Sequence, residues 1–161
     1  PLSPFEQGEI AVKGPAVMKG YYRNEPATRG MIHDGWLYTG DIGYRDKEGY
    51  LYLMGRKDDM IITGGLNVFP HEVEEVIKMY PGVSEVAVVG IPNPKRGATV
   101  KAIIVASSRI SRGEILHFCR SRLPSYKCPR VIEFRDELPR TSTGKIWRSA
   151  LVVEQKAVDQ Q

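Results

Sequence analysis

Residues 55–74 read GRKDDMIITGGLNVFPHEVE, and this stretch separates two kinds of sequence. It starts as a strand end at Gly55, passes through a charged turn over Arg56, Lys57, Asp58 and Asp59, and continues as an apolar strand through Ile61 and Ile62. It then breaks at Gly64-Gly65 and enters a helix at Pro70. The helix is read from Val73, Val76, Ile77 and Tyr80, which recur at i, i+3, i+4 and i+7. Pro70 suits its first turn, and Pro81-Gly82 ends it.

Upstream of this stretch the pattern is one of strands. Residues 8–13 alternate, a Gly- and Tyr-rich stretch runs from Gly14 to Gly35, and short runs follow at Trp36–Thr39 with Ile42–Tyr44 and at Tyr50–Met54. Asp46-Lys47-Glu48-Gly49 reads as the hairpin turn between the last two. These 55 or so residues predict an all-β segment with no helix. They carry few large apolar residues, so they read as the edge of something larger. Downstream, Ser84 to Ile91 and Ala98 to Ala106 predict strands. Ser111 to Leu123 predicts a helix opened by the capping box Ser111-x-x-Glu114, with Ile115, Cys119 and Leu123 facing inward. Val131 to Phe134 predicts a third strand, and Lys145 to Gln155 a last helix. The order α-β-β-α-β-α implies a small α+β domain with an antiparallel or mixed sheet.

Composition bounds the function classes. The 161 residues, 42% hydrophobic and 26% charged, suit a globular protein. No apolar run approaches the ~20 residues of a membrane-spanning helix. The N-terminus has no basic and apolar leader pattern and no initiator Met, so the chain reads as a fragment. The two cysteines, Cys119 and Cys128, show no metal-site or disulfide spacing and are expected to be reduced thiols. Localisation is expected to be cytoplasmic, with peripheral membrane contact compatible. The net charge of +4 arises entirely after Asp58, and ten basic residues stand against four acidic ones between Arg109 and Arg148. Such a face suits a polyanion, either nucleic acid or a polyphosphate nucleotide; it equally suits plain solvation.

Three segments carry candidate chemistry. Tyr38-Thr39-Gly40-Asp41 places a carboxylate on a turn after a strand, where it can accept from two vicinal hydroxyls. Such charge-assisted bonds contribute about 1.5–3 kcal/mol each. In the 55–74 segment, Gly64-Gly65 allows positive φ and a close backbone approach by a ligand. The third segment is Leu138-Pro139-Arg140-Thr141-Ser142-Thr143-Gly144-Lys145-Ile146. A phosphate-loop reading of its Gly-Lys fails, because Pro139 stands where the first Gly belongs and Ile146 where Ser or Thr belongs. A lysine near the start of a helix opposes the helix dipole, which is most simply explained by an approaching anion. Taken singly, each segment also fits an ordinary turn or a solvated lysine.

Together, in this order and spacing, they resemble the adenylate-forming superfamily of acyl-CoA synthetases, luciferases and peptide-synthetase adenylation domains. Gly8-Glu9-Ile10 and Gly20-Tyr21 with Asn24, Pro26 and Thr28 resemble the run before the family's Tyr-x-Gly-Asp motif. Residues 55–74 resemble its hinge and glycine-loop motif, and Pro139 to Arg148 its closing Gly-Lys motif. The resemblance implies residues 1–57 as the distal β segment of a large adenylation domain and 58–161 as its mobile lid. It also implies two steps: acid plus ATP gives an acyl-adenylate and pyrophosphate, then CoA thiol displaces AMP. By the same resemblance Asp41, with Tyr38 and Thr39, binds the nucleotide ribose, and Arg56 contacts ribose or phosphate. Asp58 is the hinge; Gly64, Gly65 and Leu66 line the pantetheine path; Lys145 bridges the carboxylate and the α-phosphate. Asn67-Val68-Phe69-Pro70 is similar to ligases of medium- or long-chain fatty acids, although Leu66 stands where a polar or aromatic residue is common.

The implied ligands are ATP, Mg2+ held mainly by the large domain, CoA and a carboxylic acid. The implied partner is the large N-terminal domain itself, and no metal site is expected in these residues. No phosphate loop or acyl pocket is present in the sequence, so these residues alone are expected to be inactive. Three rival readings are an enzyme loading an acyl carrier protein, a basic nucleic-acid-binding module and a structural interaction domain. The nucleic-acid reading leaves Asp41, Asp58 and Lys145 without a purpose, so no nucleic acid is expected as a partner.

Overall fold

The computed structural model describes residues 2–152. The chain divides into two compact units, Pro1–Asp58 and Asp59–Gln161.

The first unit is a four-stranded antiparallel sheet built on one long strand. Its elements are β1 (Gly8–Val12), α1 (Glu25–Met31), β2 (Ile32–His33), β3 (Trp36–Arg45) and β4 (Leu51–Arg56). β1, β2 and β4 all pair with β3. The two short runs expected around Gly40 are one continuous strand. Gly40, at φ 74°, and a register shift between Ile42 and Gly43 absorb the break. The turn between β3 and β4 is the expected one: the Asp46 carboxylate accepts from the Tyr50 N–H at 2.9 Å.

The expectation of an all-β first segment is corrected by α1. Asn24 caps it, its side chain accepting from the Ala27 N–H at 3.1 Å, Pro26 sits in the first turn, and Glu25 pairs with Arg29 one turn on. This helix has no buried residue and therefore no apolar stripe to read; only its capping chemistry marks it. Among the described residues of this unit no apolar side chain is buried, while Leu51, Leu53, Tyr50 and Trp36 are exposed.

The second unit holds the core. It comprises β5 (Ile61–Thr63), β6 (Leu66–Val68), α2 (Pro70–Lys78), β7 (Val83–Asn93), β8 (Gly97–Ala106), α3 (Arg112–Arg120) and β9 (Val131–Arg135), then helical residues 148–152. The sheet order is β6-β5-β8-β7 with β9 also on β8, and the β8–β9 pairing is parallel, so the sheet is mixed. Period-two alternation sorts the strand side chains onto two faces. Val86, Val88, Val100, Ala102 and Ile104 pack with Val73 and Ile77 of α2 and with Ile115 and Cys119 of α3. Ala87, Val89, Ile91 and Ile103 pack with Leu138 and Leu151 on the other face. The capping box of α3 is present in both directions, Glu114 N–H to Ser111 Oγ at 3.2 Å and Ser111 N–H to Glu114 Oε2 at 2.8 Å.

Two differences from the sequence reading bear on the candidate site. A short strand, β6, lies between Gly65 and the helix, which makes Gly64-Gly65 the turn of a hairpin. The last helix starts at Arg148 rather than Lys145, because Arg140 and Ile146 first form a β-bridge. Residues 153–155 of that expected helix lie outside the described residues.

Both thiols are buried, and burial pushes Cys119 up to about 11 and Cys128 upward as well. A thiol reagent at neutral pH is therefore expected to label neither cysteine in the folded chain and both in urea, since the thiolate is the reacting form. Rapid labelling of the native protein would contradict this packing.

Candidate functional site

The expected site residues divide between the units. In the first, β3 and β4 bring Asp41 opposite Arg56 in register. Arg56 Nη1 donates to Asp41 Oδ1 at 3.2 Å and to the Thr39 carbonyl at 2.8 Å. The Thr39 hydroxyl donates to the Ile10 carbonyl at 3.0 Å and accepts from the Asp41 N–H at 3.1 Å. Arg56 thus fixes one carboxylate oxygen of Asp41, and Oδ2 has no partner among the described residues, free to accept from a ligand hydroxyl. The positive φ of Gly40 favours glycine here, and a Cβ would also press on the Arg56 guanidinium, 2.9 Å from Nη2, and disturb its grip on Asp41.

Glu9 is a member of this cluster that the sequence reading did not assign. It accepts from the Gly40 N–H at 3.1 Å through Oε1 and pairs with Lys57 at 2.8 Å through Oε2. That bond holds the Lys57 ammonium above the usual lysine range. Tyr38 stacks edge-on with His33 at 5.5 Å. Asp58 is exposed, and its carboxylate lies 3.9 Å from Arg56.

In the second unit, Gly64 and Gly65 have φ of 60° and 79°, and they connect β5 and β6 as a two-residue hairpin turn. Positive φ at both central positions is the mirror-image turn that matches strand twist and demands glycine or asparagine. A Cβ at either position would meet no atom within 4 Å, so nothing inside this chain forbids a side chain there on grounds of space. The Gly64 N–H donates to the Arg96 carbonyl at 2.8 Å and Thr63 pairs with Gly97, which fastens the turn to the start of β8. Leu66, beside the turn, is exposed.

Lys145 sits in a closed loop. The Thr141 N–H donates to the Lys145 carbonyl at 2.8 Å, and the Trp147 N–H to the Pro139 carbonyl at 2.8 Å. Arg140 clamps the loop by donating to the Gly144 carbonyl at 2.9 Å and to both oxygens of Glu85 at 2.7 and 2.8 Å. The Lys145 side chain is exposed and has no ion-pair partner among the described residues. Glu85 lies opposite Val105, eight residues along β8 from Gly97. At ~3.3 Å per residue, the glycine turn and the lysine loop are attached roughly 26 Å apart on one strand pair.

Among the described residues no group of three His, Cys, Asp or Glu is placed to hold a metal ion. None of their helices is long and apolar enough to cross a membrane.

Comparison with known proteins follows the same lines. Residues 72–145 match the AMP-binding enzyme C-terminal domain. The long-chain-fatty-acid–CoA ligase of Bacillus subtilis (strain 168) is 48% identical over 155 residues, which is 95% of this chain and 28% of that protein. The 2-succinylbenzoate–CoA ligase of Bacillus cereus (strain AH820) is 48% identical over 150 residues, 93% of this chain and 31% of that protein. The solved o-succinylbenzoate CoA synthetase of Bacillus subtilis, in complex with its acyl-adenylate intermediate, matches with a TM-score of 0.90 at 43% identity over 93% of this chain and 31% of that one. This chain spans less than a third of the length of these relatives. They act on different acids, so the similarity reaches acid:CoA ligation and does not select a fatty acid. Residues 72–145 are thus an AMP-binding enzyme C-terminal domain, and the relatives that the chain resembles are acid:CoA ligases.

Proposed function

We propose that these residues form the end of the large domain and the mobile lid of an ATP-dependent acid:CoA ligase, with the swivel at Asp58. In the first step a carboxylate oxygen attacks the α-phosphorus of ATP, and the bond to pyrophosphate breaks. Asp41 holds the ribose hydroxyls, Arg56 orients Asp41 and faces the nucleotide, and Lys145 stabilises charge gathering on the α-phosphate. In the second step the CoA sulfur attacks the acyl carbon, and AMP departs with the electron pair. The Gly64-Gly65 turn and Leu66 border the pantetheine arm.

The observation that carries this reading is the placement of the glycine turn and the lysine loop on one β7–β8 ribbon, about 26 Å apart at their attachments. Two tools fixed to one rigid sheet are exchanged by a single rotation, which is domain closure used as a switch. The acid we favour is a medium- or long-chain fatty acid, from the Asn67-Val68-Phe69-Pro70 run. The relatives make 2-succinylbenzoate the competing choice.

Pyrophosphate exchange tests the reading. The full-length ligase carrying these residues, given ATP, Mg2+ and octanoate, palmitate or 2-succinylbenzoate in turn, is expected to exchange with a fatty acid, whereas the 161-residue chain alone shows no exchange. Adding CoA is expected to yield an acyl-thioester. Exchange by the isolated chain would overturn the assignment of roles to two domains; acylation of a holo carrier protein but not of CoA would overturn the acceptor.

A further inference from the structure

β7 pairs with β8 along one edge, and at Val88 its other edge is closed by side chains rather than by a strand. The Val88 N–H donates to Glu74 Oε1 at 2.8 Å, and the Val88 carbonyl accepts from Arg148 Nη1 at 3.2 Å. The same two side chains grip each other as a fork: Arg148 Nη2 to Glu74 Oε2 at 3.0 Å, and Nη1 to Oε1. Glu74 is only 4% exposed, on the inner stripe of α2 beside Val73 and Ile77. A carboxylate there is tolerated because both its oxygens are met, one by a backbone donor and both by a guanidinium. Glu74 in turn holds Arg148 firmly in its charged form.

Arg148 has a third limb. Its Nε lies 3.7 Å from Asp59 Oδ2, and Asp59 is the first residue of the second unit, next to the swivel. Arg148 also begins the helical residues that follow the lysine loop, so at most ~10 Å of chain separates it from Lys145. Leu151, one turn on, is fully buried and would anchor the helix by itself. An apolar anchor fixes depth; a planar fork also fixes rotation about the helix axis, and with it the direction of the preceding loop.

We propose that Arg148, held by Glu74 on the edge of β7 and linked to Asp59, is a positioning residue for the first half-reaction: it keeps the Lys145 loop in register with the swivel. The proposal rests on the assignment of Lys145 to acyl-adenylate formation. It predicts selectivity, because the Gly64-Gly65 turn is fastened at Arg96 and Gly97 and does not depend on this grip.

The test uses the full-length ligase with Arg148→Lys, which keeps the charge and loses the fork, and with Glu74→Gln, which keeps the shape. Pyrophosphate exchange reads the first half-reaction. Thioester formation from CoA and supplied acyl-adenylate reads the second, and urea unfolding reads stability. The expected result is at least a roughly tenfold fall in exchange kcat, with the second half-reaction within about twofold of the parent. Loss of both half-reactions together, or no loss in either, overturns the proposal. Should Arg148→Lys not fold, Asp59→Asn, which leaves the Glu74 grip in place, carries the test with the same selectivity at a smaller, fewfold size. Lys145→Ala, assayed in parallel, separates the two ideas: if it keeps full exchange, the reading of Lys145 fails; if it loses exchange while the Arg148 and Asp59 variants keep it, only the positioning role fails.

Discussion

Lys145→Ala in the full-length ligase is expected to slow acyl-adenylate formation about a thousandfold and to leave thioester formation from supplied acyl-adenylate nearly unchanged. The size follows from charge. An ammonium ~4 Å from a developing phosphoryl charge, at an effective dielectric of ~20, is worth about 4 kcal/mol, and each ~1.4 kcal/mol realised in the transition state is tenfold in rate. The ammonium is exposed and has no ion-pair partner among the described residues, and Glu85, which holds the same loop, has both its oxygens taken by Arg140. The loop is preorganised, so little of the interaction is spent on ordering it. Parallel measurement of the two half-reactions decides the matter. Equal loss in both would mean that the substitution damaged the lid, and no loss in the first would remove Lys145 from the chemistry.

Ile104→Ala is expected to destabilise the second unit by about 3–4 kcal/mol, because a fully buried branched side chain is replaced by a methyl group that leaves a cavity. Ile104 lies in β8, the strand to which β5, β7 and β9 are all joined, and its side chain packs in the cluster beneath α2 and α3. Neighbours bound on both sides to a sheet cannot collapse into the space, which places the effect in the upper part of the usual range. For a unit of this size the melting temperature should fall by more than about ten degrees. Trp147 fluorescence or calorimetry reads it, and a shift of only two or three degrees would mean that β8 is not the backbone of this core.

How far the sequence disclosed this arrangement depends on what each residue advertises. The strands of the second unit were legible, because Val86 to Ile91 and Val100 to Val105 are mainly β-branched and long enough to serve two buried faces. The capped helix α3 was legible from Ser111 and Glu114. The first helix was not: it buries none of its residues, so it carries no period, and the only clues were Asn24 and Pro26. The strand β6 was hidden because three residues after a double glycine read equally well as a lead into the helix. In the candidate site, Asp41, Arg56 and Lys145 were reached through motif order, not through chemistry visible in any one of them. Glu9 was missed because it acts 31 residues upstream, through a backbone N–H that no linear pattern records. Glu74 did leave a trace, a carboxylate between Val73 and Ile77 on a stripe that should be greasy. A charge in such a place announces a partner cation, and Arg148 is that cation.

The absence of buried apolar side chains before Ile61 among the described residues has a consequence for how the chain meets a protease. Cleavage requires some dozen residues to leave their structure and enter an extended groove, and the cost of that excursion is set by the contacts surrendered. For β3 and β4 those contacts are backbone ladders and surface pairs, whereas β7 and β8 must give up a dry interior. Digestion of the free polypeptide should therefore erode it from the front and halt near Asp59, leaving a trimmed remnant whose boundary marks where self-sufficient packing begins.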